Sequence, residues 1–398
     1  MKQPVPVSFA RQMSIRETLI AVVLVIAILA SAYIPTPPVA YAEGLEPKIE
    51  APSAIVIDAK TGDILWEKNA DEKHPIASTT KIMTAIIAIE NKSLGETVTA
   101  GSDVLGTDGY GFEIPVGEKM RLEDFLYALL LYSANDAAVA VADYVGGSID
   151  VFARMMNIQA KDIGANNTNY VNPHGLPVKG HPSNYSTARD LAKIARYAMK
   201  NKTFQNIVAT RKRNLSRFGT GKRTIVENRN RLLWSYPAAD GVKTGYTKEA
   251  GHCLVSSARR GDVQVISVVL GAATSEALFI ESASLLEYGF GCFEKKRLLS
   301  KGKVYQTVRV GYGQTIDLTA ASDIDGYIRR SRDIEIKTTT QSDIKLPVKK
   351  GATLGMITVF QSGKPVATVD LVVKQTLKKP TFFQAIDYYI KAAWNAIF

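Results

Sequence analysis

The spacing of apolar positions changes period several times along the chain, and each change marks an element. Residues 53–59 alternate and are rich in β-formers. Lys60-Thr61-Gly62-Asp63 carries turn chemistry and residues 64–68 return, so a hairpin is predicted. Ile82, Met83, Ile86, Ile87 and Ile89 then follow a helical period across residues 80–90. Two more helices are predicted over 122–132 and 136–145, joined at Ser133-Ala134-Asn135. Another spans 186–199, where Ser186-Thr187 and Asp190 supply a helix start. After residues 224–231 comes a turn around Pro237 and Gly241, then strand-like runs at 253–258 and 263–270 and a helix over 276–288. Strands at both ends of a helical middle give an α+β domain whose sheet joins segments far apart in the chain.

Beyond Lys301 no helical period appears. Short alternating runs at 304–310, 333–337, 354–360 and 366–373 are separated by Gly-, Asp- and Lys-rich turns, which predicts a small all-β module, a sandwich. The final segment is helical again: Phe382, Phe383, Ile386, Ile390, Ala393, Trp394, Ile397 and Phe398 fall on one face, with Gln384, Asp387, Lys391 and Asn395 opposite. With Lys374, Lys378 and Lys379 just upstream, this is the pattern of a helix lying in a membrane interface; a terminal helix docked on the protein is the alternative. At the other end, Lys2, Arg11 and Arg16 precede an apolar run over 19–30. Three prolines then lead to Ala40-Tyr41-Ala42, a small-x-small cleavage pattern. The run is shorter than the roughly 20 residues that span a bilayer, so it reads as a signal peptide rather than an uncleaved anchor. The expected organisation is a signal peptide over 1–42, a catalytic domain over 43–300, an all-β domain over 301–376 and an amphipathic helix over 377–398.

Composition narrows the class. The 398 residues carry a formal net charge of +11, with 46% apolar and 22% charged residues, an ordinary globular mixture. Disordered, collagenous, coiled-coil and polytopic membrane proteins are excluded. The basic excess is spread out, without the dense Lys/Arg block of a nucleic-acid arm; it suits an anionic envelope surface, and no nucleic-acid partner is expected. Cys253 and Cys292 read as two separate buried thiols, although a disulfide is chemically open to an exported chain. The four histidines, His74, His174, His181 and His252, form no His-Glu-x-x-His array, so no metal centre is expected.

Candidate chemistry starts at Ser78-Thr79-Thr80-Lys81, which opens the first long helix. A spacing of three sets the Lys81 amine beside the Ser78 hydroxyl on one helical face, and the helix N-terminus offers N–H groups where an oxyanion would form. A serine beside an amine neutral enough to take its proton is an activated nucleophile. Alone the spacing is weak, since it recurs at Ser300/Lys303 and Ser342/Lys345, and Lys-Thr-Gly also occurs twice, at 60–62 and 243–245. The ordered combination of Ser78-x-x-Lys81, Ser133-x-Asn135 and Lys243-Thr244-Gly245 is far stronger, because that trio marks penicillin-recognising serine enzymes. A second hydroxyl, Ser133, can relay a proton to a leaving amine, and the Asn135 amide can fix an acyl-chain carbonyl. The Lys243 charge lowers the proton affinity of Lys81 and attracts a carboxylate.

On these motifs the chain resembles the serine-type D-alanyl-D-alanine carboxypeptidases, the low-molecular-mass penicillin-binding proteins. Ala77 to Thr84, Ser133 to Ala137, Asn172-Pro173-His174-Gly175-Leu176, Tyr185-Ser186-Thr187-Ala188 and Gly241 to Thr247 all carry the likeness, as do the trailing β-module and the tail. The resemblance implies an α+β, penicillin-binding/β-lactamase-like transpeptidase domain followed by a small C-terminal β-sandwich. It implies removal of the terminal D-alanine from peptidoglycan pentapeptide stems at the outer face of the cytoplasmic membrane, with β-lactams as covalent inhibitors and no cofactor. Ser78, Lys81 and Ser133 are then the catalytic residues. Asn135, Lys243, Thr244, Gly245 and Tyr246 bind substrate, with the N–H groups of Ser78 and Tyr246 as the oxyanion hole. One departure stands out: many relatives carry an arginine about 35 residues after the Lys of Lys-Thr-Gly, and Leu278 stands here. Lys243 and Thr244 then bear more of the carboxylate recognition, or Arg259 or Arg260 substitutes. A β-lactamase, a non-catalytic wall-binding scaffold and an endopeptidase acting on cross-links remain as alternatives.

Overall fold

The computed structural model describes residues 46–109, 111–177, 183–217 and 223–397. The expected signal peptide over 1–42 lies outside the described residues. A five-stranded antiparallel sheet organises the first domain: β1 (Ser53–Asp58), β2 (Ile64–Lys68), β3 (Ala239–Thr247), β4 (Gly251–Arg260) and β5 (Val263–Ala272), in the order β2-β1-β5-β4-β3. Strand β1 pairs with β5, about 210 residues later, from Ser53↔Leu270 to Asp58↔Val265, so the two ends of the domain close one sheet.

Alternation along the strands divides the core. Ile55 and Ile57 of β1 with Ile266, Val268 and Leu270 of β5 face the helical layer, whereas Ala54, Val56, Val265 and Val269 face the other side. All six residues of β1 are buried because both faces are covered. The helical layer comprises α1 (Lys81–Asn91), α2 (Leu122–Tyr127), α3 (Asn135–Gly146), α4 (Ile149–Ile163), α5 (Ala188–Ala198) and α6 (Lys202–Ala209); α7 (Ser275–Gly291) covers the opposite face through Leu278, Leu285 and Leu286. The first eight residues of α1 are buried, so this helix runs through the core. Thr187 caps α5 by accepting from the Asp190 N–H at 3.1 Å, the start that the sequence signals.

Two segments differ from the sequence reading. Pro237 and Gly241 suggest a turn before Lys243, but residues from Ala239 onward already form β3, with Gly241 opposite Ser257. Lys243-Thr244-Gly245 therefore sits inside the edge strand of the sheet and does not merely lead toward one. After Tyr127 the helix continues to Tyr132 as a π-type turn and ends at Ser133 in the left-handed conformation (φ 71°).

Strands β6 (Phe293–Leu299), β7 (Val304–Arg309), β8 (Thr315–Ala320), β9 (Ile324–Arg329), β10 (Ile334–Thr340), β11 (Thr353–Gln361) and β12 (Lys364–Val373) build the β-module. A five-stranded sheet ordered β7-β8-β12-β11-β10 and a β6-β9 pair share one core, with Leu299 and Ile328 packed with Leu318, Ile357 and Leu371. That is a sandwich. The sequence reading draws the domain edge after residue 300; strand β6, just before it, pairs with β9. Where the module meets the first domain, Asp63 in the β1–β2 turn faces three cations. Lys364 Nζ lies 3.3 Å away, Arg332 Nη1 3.6 Å and Arg329 Nη1 4.0 Å. The chain ends in α8 (Phe382–Ile397), where Tyr388 and Tyr389 pack edge-on to Tyr312 at 6.3 and 6.1 Å.

Candidate active site

Ser78 stands in a single 3₁₀ turn, Ala77–Thr80, that runs directly into α1. The residue before it, Ala77, has φ of 44°, a left-handed conformation that a Cβ-bearing residue adopts only when its surroundings hold it. The restraint is close at hand. Gly175 (φ 89°) approaches so tightly that a Cβ there would lie 1.9 Å from the Ala77 carbonyl oxygen. Asn172 Oδ1 secures that turn by accepting from the Gly175 N–H at 2.7 Å, and Asn184 Nδ2 ties it to the helix by donating to Thr80 Oγ1 at 3.1 Å.

Lys81 is fully buried, and its amine has three partners: Ser78 Oγ at 2.9 Å, Asn135 Oδ1 at 2.6 Å and the His174 carbonyl at 3.0 Å. Two of these are carbonyl oxygens, which only accept. An uncharged amine has two N–H groups and one lone pair, so those two N–H groups go to Asn135 and His174. The lone pair is then left facing the one partner with a proton to give, the Ser78 hydroxyl. Burial, followed by the charge of Lys243, holds this amine well below the ordinary lysine range; buried Asp136 pulls the other way and Arg229 adds to the lowering. Asp136 is itself secured, accepting from the Phe112, Ile114 and Ala137 amides at 2.7, 3.1 and 2.8 Å.

The third motif arrives on β3. A Cβ on Gly245 would stand 3.0 Å from the Ile76 oxygen, 3.0 Å from the Ser78 nitrogen and 3.1 Å from the Thr79 nitrogen, so only glycine lets the strand backbone lie against the Ser78 turn. Lys243 is buried and donates to the Thr244 carbonyl at 3.0 Å; burial, with the nearby Arg229 charge, pushes it down to about 7. Tyr246 is 53% exposed at the rim and stacks on His252, with ring centroids 4.4 Å apart. Ser133 is buried at the end of the π-type turn, two residues before the Asn135 that holds Lys81. The three sequence motifs thus converge on one cleft, carried by α1, the α2–α3 junction and β3.

Some participants have no local sequence signal. The lysine is held by the backbone carbonyl of His174, so the Pro-His-Gly motif acts on Lys81 through its main chain. The His174 ring stays neutral, pushed down to about 3 by burial and by the Lys81 charge. Arg229 bears on both lysines; its N–H donates to the Leu131 carbonyl at 3.1 Å and its guanidinium lies 4.6 Å from the centre of the Tyr132 ring. The next residue, Asn230, donates to the Gly241 carbonyl at 2.8 Å, so the backbone of Arg229 and the amide of Asn230 together strap the Ser-x-Asn wall to the Lys-Thr-Gly wall.

Leu278 is buried in the core under α7. Arg259 and Arg260, the suggested substitutes, lie beyond the Ala239 end of β3. Arg259 donates to Gln264 at 2.6 Å, and Arg260 is paired with Glu287. The charge in the cleft comes from Lys243 and Arg229 instead. Cys253 and Cys292 are both free thiols.

A serine on a helix-opening turn, a buried lysine one turn on and a Lys-Thr-Gly edge strand against them define a penicillin-binding transpeptidase-like domain. The comparisons agree. Residues 41–274 match the model of the D-alanyl-D-alanine carboxypeptidase peptidase family, and residues 293–379 match the C-terminal domain of penicillin-binding protein 5. The chain belongs to the D-alanyl-D-alanine carboxypeptidase family of serine peptidases. It is 33% identical to the D-alanyl-D-alanine carboxypeptidase DacF of Bacillus subtilis, over 84% of this chain and 87% of that one. Against DacC of Escherichia coli it is 34% identical, over 88% and 90%. Penicillin-binding protein 5 of Haemophilus influenzae superposes with a TM-score of 0.60 at 28% identity, covering 84% of this chain and 99% of that one. A Streptomyces K15 DD-transpeptidase variant gives 0.58 at 36%, covering 62% and 99%.

Proposed function

We propose that this protein removes the C-terminal D-alanine from peptidoglycan pentapeptide stems through an acyl-enzyme on Ser78. The observation that carries this reading is the Lys81 amine, whose three partners leave its lone pair for the Ser78 hydroxyl alone. Lys81 takes the hydroxyl proton as Oγ attacks the D-Ala–D-Ala carbonyl, and the developing oxyanion rests on the N–H groups of Ser78 and Tyr246. The C–N bond breaks as the departing D-alanine nitrogen receives a proton by way of Ser133, with Lys243 beside the path. Water then hydrolyses the ester. Asn135 orients the acyl chain, and Thr244 with Lys243 receives the terminal carboxylate, a share made larger by the burial of Leu278 elsewhere. A β-lactam offers the same carbonyl and carboxylate, and so acylates Ser78.

The helix α8 supports a peripheral site of action. Phe383 is 80% exposed and Phe382, Ile390, Trp394 and Ile397 are exposed as well, a continuous apolar face behind Lys374, Lys378 and Lys379. No helix among the described residues is long and apolar enough to cross a membrane. We read α8 as an anchor lying in the outer face of the cytoplasmic membrane, with residues 1–42 as the export signal.

The decisive assay is release of D-alanine from diacetyl-L-Lys-D-Ala-D-Ala, run beside nitrocefin hydrolysis, for wild type and Ser78→Ala. The reading requires D-alanine release that vanishes in the variant; rapid nitrocefin turnover with no action on the peptide would make the protein a β-lactamase instead.

A further inference from the structure

With Leu278 buried, helix α7 brings no guanidinium to the cleft, and its sequence contains neither lysine nor arginine. The flank on which a carboxylate would need one follows from the alternation of β3. Gly245 lies against the Ser78 turn, and Lys243 stands opposite Val255, which packs in the core of the helical layer. Thr244 points the other way, opposite Leu254, which packs in the core under α7. Thr244 is half-buried, and its hydroxyl makes no hydrogen bond among the described residues.

A guanidinium reaches that flank from a different element. Arg231 is exposed, and its guanidinium lies 5.7 Å from the centre of the Phe279 ring, the residue that follows Leu278. That guanidinium makes no ion pair or hydrogen bond among the described residues. Both chain neighbours fix its place. Asn230 donates to the Gly241 carbonyl at 2.8 Å, which ties the loop to β3 just ahead of Lys243. Leu232 is buried in the same core cluster as Leu254 and Leu278. Arg231 is thereby pinned between β3 on one side and α7 on the other.

We propose that Arg231 recognises the terminal carboxylate of the peptide in place of the arginine that α7 lacks. Its guanidinium meets the carboxylate from the α7 flank, while Thr244 and Lys243 meet it from β3. The inference rests on the carboxypeptidase reading. Phe279 orients the guanidinium without neutralising it. A cation–π contact at an exposed site is weaker than a two-pronged, charge-assisted bond to a carboxylate, so the group is available to the peptide. A guanidinium also keeps its proton at every working pH, so this contact persists where the Lys243 charge fades.

The test compares diacetyl-L-Lys-D-Ala-D-Ala with the same peptide amidated at its C-terminus, which shares the scissile bond and lacks the carboxylate. Wild type should favour the acid. Arg231→Gln should lower kcat/KM for the acid by about 10-fold, the loss of one charge-assisted contact, with the change carried by KM. The acid-to-amide ratio should shrink by the same factor. Arg231→Lys should recover part of the loss, because it keeps the charge and not the fork. Three results overturn the role of Arg231 and leave the carboxypeptidase reading standing: no preference in wild type, a preference that survives Arg231→Gln, or an equal fall for both peptides. Turnover of neither peptide by wild type overturns both.

Discussion

Two groups of cations in this molecule are built to opposite ends. In the cleft Lys81 and Lys243 are buried within reach of the charge of the half-buried Arg229, with Asp136 as the buried acid that raises Lys81. Where the two domains meet, Arg329, Arg332 and Lys364 surround Asp63 at the edge of solvent. Burial together with like charge drives the cleft lysines toward their neutral forms, which is what the proposed mechanism asks of its base. At the domain junction, despite some desolvation, the Lys364, Arg332 and Arg329 charges hold the Asp63 carboxyl below its usual range. The same residue types give reactivity where water is excluded and modest adhesion where it is not.

The comparison breaks most severely at Lys81. Lys81→Met should lower penicillin acylation of Ser78 by about 10³-fold or more, the contribution of a positioned general base. Lys81→Arg should do no better despite keeping a cation, because a guanidinium does not give up its proton; stopped-flow acylation rates check both. Next in size is Gly245→Ala. The added methyl must push against backbone 3.0 Å away, and a displaced nucleophile turn should cost about 10- to 100-fold in acylation with a native far-ultraviolet circular dichroism spectrum retained.

A smaller effect sharpens the electrostatic part. Removing one cation with Arg229→Gln should raise the proton affinity of both lysines. The acid limb of the acylation profile then moves to higher pH, and the rate at pH 6.5 falls by about five-fold, one like-charge contact in a partly screened site. Substrate affinity should also weaken as pH climbs through Lys243's midpoint of about 7, where the carboxylate-binding cation loses its proton; KM against pH reads this directly. The smallest effect belongs to the domain junction. Asp63→Asn should cost about 1 kcal/mol or less in denaturant unfolding and leave acylation untouched. Because its folded pKa lies below the ordinary 3.8, that contribution is complete above pH 4 and disappears as pH falls through the folded value.

How much of this was legible beforehand follows from where the chemistry resides. Ser78, Lys81, Ser133, Asn135 and Lys243 announce themselves because side chains at fixed short spacings carry the motifs, and the alternating runs after Lys301 suffice for a sandwich. The strand Ala239–Thr247 was hidden by Pro237 and Gly241, whose turn propensity the edge of a long sheet overrides. The amphipathic helix Ile149–Ile163 and the strand Phe293–Leu299 gave no clear signal beside their neighbours. The His174 carbonyl was beyond reach for a different reason: a backbone acceptor is the same in every residue. Arg229 is 148 residues from Lys81 in the chain, and only the fold makes them neighbours in charge.

The central claim is that a lysine amine without its proton faces Ser78. Its most direct test is the pH dependence of the second-order acylation rate with a fluorescent penicillin, with the labelled residue mapped by mass spectrometry. The account predicts a label on Ser78 and an acid limb whose midpoint lies well below 10.5. A limb that follows an ordinary lysine near 10.5, or a label on any other residue, would contradict it.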